Sequence, residues 1–263
     1  MKLALFVIAL LALVGCSNEK FFAQLPAADN GQFYVEHPGR PAVLVIHGLT
    51  ATPWEVYALS VYLAEHNLTV LTPILEGHGR RPIDLEATKW QDWYVNVNDS
   101  YTRLAKDSPK VFVVGISTGS LLAVELAREH ELAGVVAISV PLQLRDKRVR
   151  YVVPISRLWR YTDKVLRPQE EAHYYQVMPT RTVGELLGLI AQVNRDAPGV
   201  TEPLLIIQSR DDRTADPASA QQLYDLAGSA EKEIVWLEGF SHTVIREDTH
   251  GTALQAILTF VNE

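Results

Sequence analysis

Four short runs in the chain carry no polar side chain: Pro41-Ala-Val-Leu-Val-Ile46, Val111-Phe-Val-Val114, Gly134-Val-Val-Ala-Ile138 and Pro203-Leu-Leu-Ile-Ile207. A strand without a polar face is a strand buried on both sides, which calls for a parallel sheet covered by helices on each face. Thr69-Val-Leu-Thr72 and Glu233-Ile-Val-Trp-Leu237 extend the series. Helical stretches lie between these runs, so the fold class expected is α/β, a mostly parallel central sheet flanked by helices. Crossovers in such sheets are right-handed, and ligands bind beyond the carboxyl ends of the strands.

The helices are read from spacing and start signals. Thr52-Pro53-Trp54-Glu55 is expected to open a helix reaching about Asn67, with Thr52 as cap, Pro53 first and Glu55 at the capping-box position. Trp90, Trp93, Val97, Tyr101 and Leu104 recur every three or four residues and predict an amphipathic helix over about 88–106. Further helices are expected over 118–130, near 217–227 and near 246–262. The interval 141–200 breaks the rhythm. It shows no clear buried strand, and Pro154, Pro168 and Pro179 punctuate helical pieces. Trp159, Tyr161, Tyr174 and Tyr175 crowd it. It reads as a small helical cap inserted between two core strands. Its basic cluster, Arg145, Lys147, Arg148 and Arg150, reads as a solvated charged face; contact with anionic lipid headgroups is the sharper option.

Composition removes several function classes. The 263 residues suffice for one large domain, and 48% hydrophobic content is too high for disorder. A net charge of −7 argues against a nucleic-acid binder, which needs a basic surface. One cysteine excludes an internal disulfide and a Cys-rich zinc site. That cysteine, Cys16, ends a segment with one early lysine and a dozen apolar residues, the pattern of a secretory signal peptide. The run is too short to span a bilayer, which takes about 20 residues. Leu13-Val14-Gly15-Cys16 resembles a bacterial lipobox, which implies cleavage after residue 15, lipidation of Cys16 and an outer-membrane destination where the organism has one. Residues 16–32 then form the lipidated tether, and 33–263 the folded domain.

Gly115-Ile-Ser117-Thr-Gly119 follows a buried strand and opens a helix. In that context G-x-S-x-G describes a sharp strand-to-helix turn that exposes the serine hydroxyl. A serine capping a helix in a glycine-rich turn is the plainer alternative. A serine hydroxyl needs a base. Among eight histidines, His242 follows the strand at 233–237 and is the best placed. His47 suits shaping a loop, His78 is a loop residue, and His66, His130 and His250 lie on helices or at their ends. His37 and His173 have no clear anchoring. The acid is expected after the strand at 203–207, where Asp211, Asp212 and Asp216 stand. Asp216 reads as the cap of the helix that starts at Pro217.

Together these landmarks resemble the α/β-hydrolase carboxylesterases, in particular the small bacterial carboxylesterase and monoacylglycerol lipase group. The matching stretches are Val45-Ile-His47-Gly-Leu-Thr-Ala-Thr52-Pro53, Pro73-Ile-Leu-Glu-Gly-His-Gly79, Trp90-Gln-Asp-Trp93 and the turn at 115–119. Gln208-Ser-Arg-Asp-Asp212, Asp216-Pro217, Glu231-Lys-Glu-Ile234 and Ser241-His242 complete them. The order Ser, Asp, His is that of the fold. The resemblance implies Ser117 as nucleophile, His242 as base and Asp212 rather than Asp211 as acid. It implies the backbone N–H groups of Leu49 and Thr118 as oxyanion donors. Thr118 stands where the group often has Met or Gln, but its N–H is retained. The implied activity is hydrolysis of small lipidic or short- to medium-chain carboxylic esters through an acyl-enzyme, with no metal and no cofactor. The implied partners are the ester substrate and the membrane that holds Cys16. An acyltransferase or thioesterase on the same three residues is an alternative, and so is a non-catalytic lipid-binding lipoprotein.

Overall fold

The computed structural model describes residues 31–152, 160–164, 166, 168–248 and 250–263. The signal peptide, Cys16, most of the tether, Pro154 and Trp159 lie outside the described residues. The strands are β1 Phe33–Val35, β2 Ala42–Ile46, β3 Thr69–Thr72, β4 Val111–Ile116, β5 Gly134–Ile138, β6 Tyr161–Asp163, β7 Val177–Pro179, β8 Leu204–Ser209 and β9 Lys232–Leu237. The helices are α1 Tyr57–Glu65, α2 Pro82–Glu86, α3 Trp90–Ala105, α4 Thr118–Glu129, α5 Val149–Val152, α6 Thr180–Asp196, α7 Ala218–Leu226, α8 Val244–Glu247 and α9 Thr252–Asn262.

Seven strands form one sheet in the order β1-β3-β2-β4-β5-β8-β9, parallel except for β1, which pairs antiparallel with β3. The period-two geometry of a strand divides each apolar run between two cores. Leu44, Ile46, Val113, Val135, Ala137 and Ile206 face one layer, together with Trp93 and Val97 of α3, Leu122 of α4 and Leu189 of α6. Val43, Val45, Val114, Val136, Ile138 and Ile207 face the other, packed with Leu59 and Leu63 of α1 and Leu254 and Ile257 of α9. Burial on both faces is why the apolar runs within these strands hold no polar residue.

The structure departs from the sequence reading at several places. Pro53–Val56 form a 3₁₀ turn before α1, and the Thr52 side chain makes no capping bond. The Glu55 carboxylate turns away from the helix start and accepts the N–H of Gly48 at 2.6 Å. The expected helix near 246–262 is two helices. Asp248, fully buried, collects the opening amides of α9 from Thr252, Ala253 and Leu254 at 2.9, 2.7 and 3.3 Å, and Gly251 turns the chain at φ 74°. Between β5 and β8, where helical pieces were expected, β6 and β7 form a two-stranded antiparallel ribbon. The last part of that interval, α6, packs as a core helix beside α4 with Leu189 and Val193 fully buried.

Candidate active site

The carboxyl ends of β2, β4, β5, β8 and β9 converge on one edge of the sheet. Ser117 follows β4 at φ 53° and ψ −121°, a conformation that costs a non-glycine residue about 1–3 kcal/mol. The surroundings enforce it. The Ser117 N–H donates to the Ile138 carbonyl at 2.9 Å, and the Ser117 carbonyl accepts the N–H and the hydroxyl of Ser120 at 2.9 and 2.5 Å. Gly115 and Gly119 are obligatory: a Cβ at 115 would lie 2.1 Å from the Gly119 carbonyl oxygen, and one at 119 would lie 2.3 Å from that of Ile46. Thr118 is the first residue of α4, where backbone N–H groups have no partner within the helix and the helix dipole favours negative charge.

The His242 Nε2 lies 2.8 Å from the Ser117 Oγ, and its Nδ1 lies 2.8 Å from Asp212 Oδ2. The loop carrying His242 is held by β5 and β8: the Ser139 hydroxyl donates to the His242 carbonyl at 2.9 Å, and the Ser209 hydroxyl to that of Phe240 at 2.5 Å. Asp212 is fully buried and serves as acceptor on both oxygens. Oδ1 takes the N–H groups of Thr214 and Ala215 at 2.8 and 3.0 Å, and Oδ2 also takes the Gln208 amide at 3.1 Å. With all its donors in place, this carboxylate is an acceptor toward His242 and fixes a proton on Nδ1, which leaves Nε2 free to accept from Ser117.

The loop after β2 reaches the serine from the other side. A Cβ at Gly48 would stand 3.3 Å from the Ser117 Cβ. His47, fully buried, bonds through Nδ1 to the Gly48 carbonyl at 2.8 Å and accepts the Leu75 N–H on Nε2 at 3.2 Å. Both bonds are met by one neutral tautomer, and burial, only partly opposed by the Gly48 carbonyl, lowers its pKa to about 4. His78 packs edge-on to His47 and Trp93, and burial with the neighbouring His47 lowers its pKa to about 3. Both rings therefore belong to the loop architecture, as expected of His47. Burial also pushes the Glu55 carboxyl up, against the pull of the Gly48 N–H and the Tyr174 hydroxyl.

The two neutral rings give a pH signature. Each protonates near pH 6.5 when unfolded and only at about 4 or 3 when folded, so the unfolded chain holds more protons in between. Each ring thus removes stability as pH falls from 6.5 towards 4, by about 1.4 kcal/mol per pH unit. The buried carboxyls Glu55 and Glu125, whose pKa values are raised, act with the opposite sign, so the readout is a difference. His78→Leu should lessen the acid-side loss of the urea midpoint relative to wild type. Equal slopes for the two proteins between pH 6.5 and 4 would contradict this account.

The structure therefore brings together Ser117, His242 and Asp212, with Thr118 directly after the serine and Gly48, the neighbour of Leu49, beside it. It sends Asp211 to the surface, where Oδ2 accepts the Gly239 N–H at 2.8 Å, and sets Asp216 at the start of α7 with an oxygen 3.2 Å from the Ala218 N–H. His173, read as unanchored, stacks on Trp54 at 4.0 Å. His37, also read as unanchored, donates its N–H to the Thr69 hydroxyl at 2.9 Å. The basic cluster is mostly paired with carboxylates: Arg148 with Asp146 at 2.7 Å, Arg145 and Lys147 with Asp216 at 3.7 and 3.8 Å. Sequence reasoning missed Gln208, Ser139, Glu55 and Tyr174. Only Gln208 and Ser139 carried a signal, as polar residues at the ends of otherwise apolar strands.

Comparison with known proteins bears on the fold and the family. Residues 37–249 match the Hydrolase_4 family model, described as "Serine aminopeptidase, S33". A thermostable monoacylglycerol lipase of Bacillus sp. (strain H-257) is 30% identical over 243 residues, covering 90% of this chain and 96% of that protein. A carboxylesterase of Bacillus subtilis (strain 168) is 27% identical, over 86% of this chain and 94% of its own length. A solved structure from work on LipS and LipT, two metagenome-derived lipolytic enzymes, superposes with a TM-score of 0.83 at 27% identity, over 89% of this chain and 97% of that one. With the sheet order, the strained serine and these matches taken together, the chain has the α/β-hydrolase fold and belongs to the Hydrolase_4 family.

Proposed function

We propose that the protein is a serine ester hydrolase acting on small lipidic or short- to medium-chain carboxylic esters through an acyl-enzyme. The observation that carries this reading is the continuous hydrogen-bonded chain from Asp212 through His242 to Ser117. In the first half-reaction Ser117 Oγ attacks the ester carbonyl carbon while His242 Nε2 takes its proton. The carbonyl oxygen becomes an oxyanion held by the N–H groups of Leu49 and Thr118, each donor contributing roughly 10²–10³ in rate. Collapse expels the alcohol, which leaves with the proton from His242. In the second half-reaction water, deprotonated by His242, attacks the acyl carbon, and Ser117 recovers its proton as the carboxylic acid departs. Asp212 holds the imidazole and stabilises the imidazolium formed in each half.

The names of the two Bacillus relatives favour an ester over the amide suggested by the family description. A substrate panel decides between them: p-nitrophenyl esters from two to sixteen carbons, monoacylglycerols of the same chains, and an aminoacyl p-nitroanilide (chain lengths chosen as about the range of common acyl groups). Esters or monoacylglycerols should exceed the anilide in kcat/KM by about two orders of magnitude or more, a gap of at least 2.7 kcal/mol or so in transition-state stabilisation. Cleavage of the anilide alone would overturn the ester reading. Export and anchoring through Cys16 are proposed on the sequence of residues 1–16 alone. The N-terminal mass of the protein from its native host tests them, an unmodified thiol at Cys16 being the contrary result.

A further inference from the structure

The inserted segment between β5 and β8 is tied to the very loop that carries Leu49. The Tyr174 hydroxyl donates to Glu55 Oε1 at 2.8 Å, the Tyr175 N–H donates to the Thr50 carbonyl at 3.1 Å, and the Lys164 ammonium donates to the Thr50 hydroxyl. The other Glu55 oxygen accepts the Gly48 N–H at 2.6 Å. Glu55 is only 4% exposed, and a buried carboxyl is costly unless its hydrogen bonds are met. Here they are met by a backbone group of the loop on one side and by the inserted segment on the other. Thr50 sits at φ 61°, a conformation that persists in a β-branched residue only where its surroundings impose it.

The geometry bears on one particular N–H. In a trans peptide the carbonyl and the N–H point to opposite sides. His47 Nδ1 holds the Gly48 carbonyl, so the Leu49 N–H of the same peptide is directed away from His47. Glu55 holds the preceding peptide through the Gly48 N–H. Gly48 is thus gripped on both of its peptides, its carbonyl also taking the Ala51 N–H at 3.4 Å. We propose that Glu55 is a positioning residue for the Leu49 oxyanion donor, and that Tyr174 couples this hold to the seating of the inserted segment. The inference rests on the serine-hydrolase reading above. It assigns the segment a part in building the oxyanion site.

Glu55→Ala frees the Gly48 N–H and unlinks Tyr174. The expected result is a fall in kcat of at least about tenfold, a fraction of the 10²–10³ attributed to one oxyanion donor, with KM changed by less than about twofold. The rate of inactivation by a fluorophosphonate, whose phosphoryl oxygen occupies the same site, should fall in parallel. Glu55→Gln should recover most of the loss, because its amide oxygen accepts from Gly48 while its NH₂ donates to the Tyr174 hydroxyl. Tyr174→Phe, which keeps the Gly48 bond, should lower kcat by a smaller factor and decides the matter if Glu55→Ala fails to fold. A Glu55→Ala enzyme with wild-type kcat and wild-type inactivation rate overturns the proposal, as does a loss confined to KM. A wild-type protein that neither hydrolyses esters nor reacts with the fluorophosphonate overturns the serine-hydrolase reading itself.

Discussion

Ser117→Ala should lower kcat on ester substrates by about 10⁶, the scale of removing the nucleophile from a serine-hydrolase triad. What remains is binding and the oxyanion donors, about 10³–10⁴ over water. The fold should survive. Alanine meets the same backbone strain at φ 53° as serine, the bonds that hold the turn are made by the backbone of residue 117, and among the described residues the lost hydroxyl bonds His242 alone. Thermal midpoints of the two proteins should therefore agree within a few degrees. Fluorophosphonate labelling should vanish with activity, and a variant that still labels or still hydrolyses would displace Ser117 from its role.

Asp212→Asn is expected to lower kcat by about 10³–10⁴ while leaving KM near the wild-type value. The carboxylate accepts from four donors: the Thr214 and Ala215 amides, the Gln208 amide and His242 Nδ1. An asparagine has one acceptor oxygen. Whichever way the amide turns, its NH₂ meets donors. If the oxygen stays with the two backbone amides, the NH₂ faces His242 and favours the tautomer with its proton on Nε2, which cannot take one from Ser117. Asp211→Asn is the control. Its contact with the Gly239 N–H survives in asparagine and its side chain is exposed, so activity should stay within about threefold, the range of a surface substitution. The reverse ranking of the two variants would move the acid by one residue.

What the sequence disclosed and what it concealed have physical causes. The four apolar runs were legible because a strand buried on both faces favours apolar residues at every position, and the central stretches of β2, β4, β5 and β8 lie in that environment. Ser117 was legible because Gly115 and Gly119 answer a local steric demand. β1 was hidden because three half-exposed residues at a sheet edge carry no periodic signal. β6 and β7 were hidden for the same reason, being three residues each and partly exposed. Glu55 was misread because capping is a local rule, whereas its partners Gly48 and Tyr174 are brought to it by the tertiary fold across 7 and 119 residues. Asp248 shows the converse: it looked like one more polar residue in a long helix, yet it ends one helix and starts the next.

The central claim is a covalent intermediate on Ser117, and it is open to direct measurement. Wild-type protein mixed with a p-nitrophenyl ester, quenched in acid during turnover and digested should yield the peptide containing Ser117 heavier by one acyl group less a proton. The modification should be absent from Ser117→Ala. Acyl groups on another residue, or steady hydrolysis with no acylated peptide at any time, would contradict the account.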